Sequence, residues 1–314
     1  MRSILTKYGA LEGVSHVEYY EGGSVKECMV IRENRIATPY GLLIPQYEQD
    51  GVRRKYTKSL SFHENGTVKS ISLQEQTAIK TSIGVFPAEL VTFYASGAVK
   101  RLFPLNGKIT GYWTEENEYG LAQEFEFSFP FGSFRKKIIG VHFYESGAIR
   151  SLTFWPRDSV TLQTPLGEVT ARIGIALYPE GGIKSIEPYK PVTVDTPIGN
   201  ITAFDRKAAG IHGDTNSLGF YEDGKVRYVT TSSDRILVKD STGREKCYEP
   251  ALKPSLLQVG KLSIEPLQIR FFDGKVQLGG ETMYDIGSCI FTIESSERIP
   301  GNACSECSGC DACG

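Results

Sequence analysis

The sequence predicts an all-β fold, an antiparallel β-hairpin repeat meander, and three observations carry that prediction. A short phrase centred on a glycine turn returns seven times. β-Branched and aromatic runs flank its copies, and helical periodicity is nearly absent along the 314 residues. The phrase is an aromatic residue, one or two polar residues, glycine, one further residue, Val or Ile, and usually Lys or Arg. Tyr144-Glu145-Ser146-Gly147-Ala148-Ile149-Arg150 is a complete copy.

The copies open at Tyr20, His63, Tyr94, Tyr144, Tyr178, Tyr221 and Phe271. They turn at Gly23, Gly66, Gly97, Gly147, Gly181, Gly224 and Gly274. Asn65-Gly66, Asp223-Gly224 and Asp273-Gly274 supply the positive φ that a tight hairpin turn requires. The last copy ends in Gln277 and lacks the basic residue. A two-residue loop places Tyr144 opposite Ile149. A three-residue loop, with a type I turn and glycine in the bulge, places Phe143 there and leaves Tyr144 and Arg150 outward. The second separates apolar from basic positions better and is the expected one, since a slip of one residue exchanges the two faces.

A second turn signal falls between these copies. Thr38-Pro39-Tyr40-Gly41, Thr164-Pro165-Leu166-Gly167 and Thr196-Pro197-Ile198-Gly199 are full copies, and Thr81-Ser82-Ile83-Gly84 lacks only the proline. Proline fixes φ at the second turn position and glycine is favoured at the fourth. Neighbouring runs such as Val160-Thr161-Leu162 and Val192-Thr193-Val194 read as strands. Residues 115–124 form the one stretch expected to contain a short helix.

A lone hairpin is marginal in water, so each must bury its aromatic face on neighbours. An open meander does this, and so does a seven-bladed propeller, whose period is roughly 40–45 residues. The pivotal glycines stand unevenly, from 31 residues (Gly66 to Gly97) to 50 (Gly97 to Gly147), which favours the open array. Residues 1–293 are accordingly read as one hairpin-repeat domain and 294–314 as a linker and cysteine-rich tail.

The phrase Tyr-Glu-(Asn/Ser/Asp)-Gly-x-(Val/Ile)-(Lys/Arg)-Ser resembles the hairpins of MORN-type repeat proteins, particularly the bacterial group labelled antitoxin-like. The resemblance covers most of residues 17–281 and departs in the long, uneven segments between hairpins and in the Thr-Pro-x-Gly turns. It implies an elongated β-sheet used for binding or scaffolding, without a catalytic mechanism.

Composition narrows the partners. Lys and Arg number 35 against 37 Asp and Glu, a net charge of −2. Overall charge therefore points to neither a nucleic-acid partner nor an anionic membrane. No run of eighteen apolar residues and no signal-peptide pattern is present, so a soluble, cytoplasmic protein is expected.

Chemistry concentrates at the C-terminus. Cys304, Cys307, Cys310 and Cys313 fall within the last eleven residues, behind Pro300, Gly301 and Asn302. Four thiolates form the ligand set of a zinc site or an iron–sulfur cluster. The first three cysteines match the start of a bacterial ferredoxin run. The fourth cysteine comes after two residues instead of three and lacks the following proline, so one tail must close all four sulfurs on one centre or share ligands with a partner. A free redox-active tail is the alternative. Cys28, Cys247 and Cys289 are scattered and read as small buried or half-buried side chains.

Three further groups qualify as sites. His212, Asp214 and Asn216 lie in a glycine-flanked loop, with Asp205 and Arg206 nearby, and offer a polar-ligand or metal site. The simpler reading is a self-bonded turn. Lys26, Lys69, Lys100, Arg150, Lys184 and Arg227 would line up beside Tyr20, Tyr94, Tyr144, Tyr178 and Tyr221, as an anion-binding stripe or as an exposed face that discourages aggregation. Glu115, Glu116 and Glu118 crowd an insertion between Gly107 and Gly120 that also holds Tyr112 and Trp113. No Walker, Rossmann, nucleophile-elbow or His-Glu-x-x-His signature occurs. The expected function is a β-repeat binding or scaffold protein with a protein partner and a metal or iron–sulfur tail. The rival is a redox or metal-dependent enzyme that uses the tail as its centre.

Overall fold

The structure, a computed structural model, describes residues 2–54, 58–208, 216–254, 262–280 and 282–295. It is an antiparallel all-β meander with one α-helix, Glu115–Leu121, and one 3₁₀ turn, Ile286–Ser288, among the described residues. The helix begins at a reciprocal cap: Asn117 N donates to Thr114 Oγ1 and Thr114 N to Asn117 Oδ1. No helix among the described residues is long and apolar enough to cross a membrane.

Six of the seven phrases make the three-residue turn. Tyr144 N donates to Ala148 O at 2.8 Å and Gly147 N to Tyr144 O at 2.9 Å, with Gly147 at φ +89°. The same pair of bonds recurs at Tyr20, His63, Tyr94, Tyr178 and Tyr221. Phe143 faces Ile149, as the expected register requires. The next pair is His142 with Ser151, so Arg150 is the extra residue of a β-bulge. Lys26, Lys69, Lys100 and Arg227 hold the same bulge position. The basic residue of the phrase thus has a geometric place: it is the unpaired residue that lets Ile149 and Leu152, three apart, serve one face.

The seventh copy differs. Phe272 faces Lys275 across a two-residue Asp273-Gly274 loop, Phe271 faces Val276, and no bulge follows. Phe271 is therefore buried, at 2% exposure, while Phe272 stands 43% exposed. The missing basic residue and the missing bulge are one event.

The chain forms two compact units. In the first, residues 2–160 and 172–183, hairpins pair edge to edge in one ladder. Strand Gly9–Tyr19 pairs with Val25–Val30, then follow Leu60–Phe62, Val68–Thr81, Gly84–Phe93, Val99–Phe103, Gly132–Phe143, Ile149–Phe154 and residues 172–177. One row crosses it: Cys28, Leu60, Ile71, Val91, Leu102, Val141, Leu152 and Ile175 face one another in turn, none above 1% exposure. Each large member contributes about 1.5–3 kcal/mol by burial. The propeller alternative fails here, because propeller blades are separate sheets, whereas these hairpins share one ladder.

The second unit contains residues 161–171, 184–208 and the described residues from 216 onward. Ile186, Leu218, Val229, Ile269 and Leu278 make the same kind of row, each wholly buried. The hairpin 192–203, the paired strands Ala251–Pro254 and Leu262–Glu265, and the three strands Glu245–Tyr248, Asp234–Lys239 and Ile290–Ser295 complete it.

The Thr-x-x-Gly turns cap smaller hairpins. Thr38 Oγ1 donates to Gly41 O at 2.9 Å and accepts from Tyr40 N at 3.1 Å. Thr6-Lys7-Tyr8-Gly9 does the same without proline, and Phe129 pairs with Gly132 across Pro130-Phe131 without threonine. Proline is therefore dispensable. The recurrent element is the glycine, at φ +98° in Gly9 and +107° in Gly41.

Candidate functional site

His212 and Asp214 lie outside the described residues, as do Cys304, Cys307, Cys310 and Cys313. Asn216 is described and buried at 4% exposure, where its Nδ2 donates to Ser185 Oγ at 2.8 Å. Next to it, Ser217 N and Oγ both donate to Glu187 Oε2, at 2.8 and 2.5 Å. Asp205 accepts from Lys207 N at 2.8 Å, a turn bonded to itself. Asn216 thus belongs to a buried polar cluster with Ser185. Among the described residues no group of three or more His, Cys, Asp or Glu could hold a metal ion. Of the scattered cysteines, Cys28 is buried and Cys289 half-buried, but Cys247 is exposed, against expectation. Its strand, Glu245–Tyr248, buries only Tyr248.

The carboxylates of the 107–120 insertion separate. Glu118 is buried and saturated: Oε1 accepts from Arg53 Nη2 at 2.9 Å and Gly107 N at 2.7 Å, and Oε2 from Arg53 Nε at 2.8 Å and Trp113 Nε1 at 2.7 Å. Arg53 also grips Glu89 with two bonds, at 2.9 and 2.7 Å. Burial pushes the Glu118 carboxyl up, but the Arg53 and Trp113 hydrogen bonds prevail and hold it below the usual carboxylate value. With each oxygen of Glu118 accepting two hydrogen bonds, the cluster is a clasp between the insertion and the ladder, and Glu118 has no lone pair left for acid–base work. Glu116 pairs with Arg157 at the surface.

The basic stripe folds back on itself. Lys100 lies over the Tyr94 ring at 5.4 Å, Arg150 over Tyr144 at 5.6 Å and Arg227 over Tyr221 at 5.7 Å. Lys26 reaches Glu18 at 3.9 Å. These cations are placed by their own hairpins.

A different site emerges where the two kinds of turn meet. Val68 N donates to the Tyr8 hydroxyl at 3.0 Å, and Val99 N to the Tyr40 hydroxyl at 3.0 Å. Each tyrosine belongs to a Thr-x-x-Gly turn and covers the amide that follows a phrase turn. Ser82, in the next such turn, donates to Gly147 O at 2.6 Å. Between Tyr40 and Ser82 the remaining slot measures about 200 Å³.

The equivalent slot in the second unit is about 1160 Å³. Two substitutions and one shortened loop distinguish it. Leu166 stands where Tyr40 does and has no acceptor for the Val226 amide. Pro197 stands where Ser82 does and has no hydroxyl. The Gly274 loop is one residue shorter than the Gly147 loop. Phe220 faces Val226 in the register by which Phe93 faces Val99, so the Val226 amide points into this slot. Tyr221 and Phe272 give it aromatic walls, and Asp195, Asp223 and Asp273 set three carboxylates around it against Lys225 alone. Lys225 Nζ lies 2.8 Å from Asp223 Oδ2 and holds that carboxyl below its ordinary value. A third slot, of about 660 Å³ beside Lys7, Val25 and Glu64, lies over the first hairpin.

Sequence reasoning alone misses this site. The available signal is the loss of Tyr8 and Tyr40 chemistry at Leu166, together with the shortened seventh phrase. Comparison with known proteins finds no family model, no curated protein and no solved structure that matches the chain.

Proposed function

We propose that this chain is a non-catalytic, cytoplasmic β-repeat binding protein of MORN-like type, and that a protein partner enters the slot between Leu166 and Pro197. The observation that carries the reading is the contrast between two equivalent slots, one narrowed to about 200 Å³ by Tyr40 and Ser82, the other about 1160 Å³ with aromatic walls and an acidic rim. Binding sites are commonly concave, apolar in their walls and polar at a few points. Cytoplasmic residence suits the four closely spaced thiols, which a reducing compartment keeps available.

The test is site-specific photocrosslinking from position 225 in the producing cells, with adducts identified by mass spectrometry and rebuilt from purified components. A single protein adduct that disappears in Leu166→Tyr is the expected result. Adducts that persist unchanged in that variant, or none at all, overturn the reading.

The tail Cys304, Cys307, Cys310 and Cys313 is proposed to bind zinc or an iron–sulfur cluster. The ferredoxin-like spacing of its first three cysteines favours the second reading, a redox protein. Anaerobic purification with metal and sulfide analysis decides: iron with sulfide and visible absorbance supports the redox role, and zinc supports a structural tail.

A further inference from the structure

The nature of the partner can be taken one step further, on the premise that the Leu166–Pro197 slot is the binding site. We infer that it accepts a β-turn of a partner protein bearing a tyrosine next to a basic residue, with the phenol oxygen accepting from the Val226 amide.

The molecule itself supplies the template. At both places where a turn covers the amide after a phrase glycine through a side-chain acceptor, that acceptor is a tyrosine hydroxyl: Tyr8 on Val68 N and Tyr40 on Val99 N. The rings also pack against the phenylalanine opposite that valine, Tyr8 with Phe62 at 6.4 Å between centroids and Tyr40 with Phe93 at 6.0 Å. At the second-unit slot the backbone register is kept and the tyrosine is missing. A phenol entering from outside meets the same kind of amide, between the aromatic walls of Tyr221 and Phe272.

Charge selects the neighbour. In the covering turn Thr6-Lys7-Tyr8-Gly9 the lysine lies over Gly66, with its Cε 3.3 Å from where a Cβ would stand; over Gly224 Pro165 takes that place at 3.3 Å, so a basic neighbour of the incoming tyrosine is directed to the rim. The open slot has three aspartates and one lysine, which is already paired with Asp223. A basic residue beside the incoming tyrosine finds Asp195 and Asp273 in the rim. An acidic or phosphorylated turn meets like charge.

The probe is a cyclised thirteen-residue hairpin with the sequence of residues 2–14, titrated into the full chain by fluorescence anisotropy. Saturable binding is expected, weakened about fivefold when Tyr8 of the peptide becomes Phe and further weakened by Lys7→Glu at low salt. Leu166→Tyr in the protein should abolish binding. Asp273→Lys in the protein should reverse the charge preference, so that the Lys7→Glu peptide binds more tightly than the unaltered one. That reversal keeps the test decisive if Leu166→Tyr fails to fold. Equal affinity for the Tyr8→Phe peptide overturns the phenol claim. No binding of any peptide, alongside a photocrosslink from position 225 that Leu166→Tyr removes, overturns the ligand assignment and leaves the slot as the site. Binding that both protein variants leave unchanged overturns the slot itself.

Discussion

The Tyr94 hydroxyl donates to the main-chain carbonyl of Phe143 at 2.8 Å. Phe143 is the residue immediately before Tyr144, and Tyr144 in turn donates to Leu177 O at 2.8 Å, immediately before Tyr178. Tyr20 does the same to Phe62 O at 2.9 Å and His63 Nε2 to Phe93 O at 3.0 Å. In the second unit Tyr221 donates to Phe271 O at 2.6 Å. The opening aromatic of one phrase therefore grips the backbone at the start of the next, and the rings of Tyr94, Tyr144 and Tyr221 also receive the cation of their own bulge.

Removing one grip is testable. Tyr144→Phe keeps the ring and its contact with Arg150 but deprives Leu177 O of its donor. Urea denaturation should show a loss of about 1 kcal/mol. Tyr144→Leu loses the ring contact as well and should cost more.

Two glycines of one phrase should respond differently to alanine. Gly181 has φ +88°, whereas Gly182 beside it is not in the left-handed region, and neither has an atom near an added Cβ. Gly181→Ala should lose about 1–2 kcal/mol through backbone strain. Gly182→Ala should be neutral or slightly stabilising, because it restricts the unfolded chain. Thermal denaturation of the pair measures the contrast.

The Arg53 clasp should impose an acid limit. Glu118 has a folded-state pKa below its ordinary value of 4.5. Its contribution is complete above that value and is lost as pH falls toward the lower folded one, since the unfolded chain takes up the proton first. Glu118→Gln should cost about 3 kcal/mol at pH 7. It should also flatten the stability profile below the ordinary carboxylate value. A slope unchanged in the variant would remove Glu118 from the acid transition.

Thiol labelling should separate the cysteines of the two units. Burial pushes the Cys28 thiol up to about 12, and its side chain is wholly enclosed in the core row. Iodoacetamide at mildly alkaline pH should modify Cys247 readily and Cys28 only after denaturation, as peptide mapping would show.

A chain ending at Pro300 should keep the thermal midpoint of the full chain. Calorimetry of both, with and without metal, checks this, and a drop of several degrees would show that the tail supports the β body.

The turns and their register are legible in the sequence because glycine and the alternation of Phe143 with Arg150 act locally. The turn Thr6-Lys7-Tyr8-Gly9 escapes a pattern that includes proline, although the threonine hydroxyl and the glycine are what make the turn. The Arg53 clasp is hidden for another reason. Its partners Glu89 and Glu118 are far along the chain, and no local pattern distinguishes a buried Glu118 from an exposed Glu116. The slot is a difference between two places in one fold, visible only after Leu166 and Tyr40 have been found to occupy equivalent positions.

The tyrosine grips end on peptide oxygens, which every residue carries. Successive modules consequently need neither a matching side chain nor a fixed length of chain between them. Residues 104–131, with a helix of their own, are spliced between the Gly97 and Gly147 modules while Tyr94 still holds Phe143. An architecture joined in this way can lengthen or lose intervening loops over evolutionary time without breaking its seams.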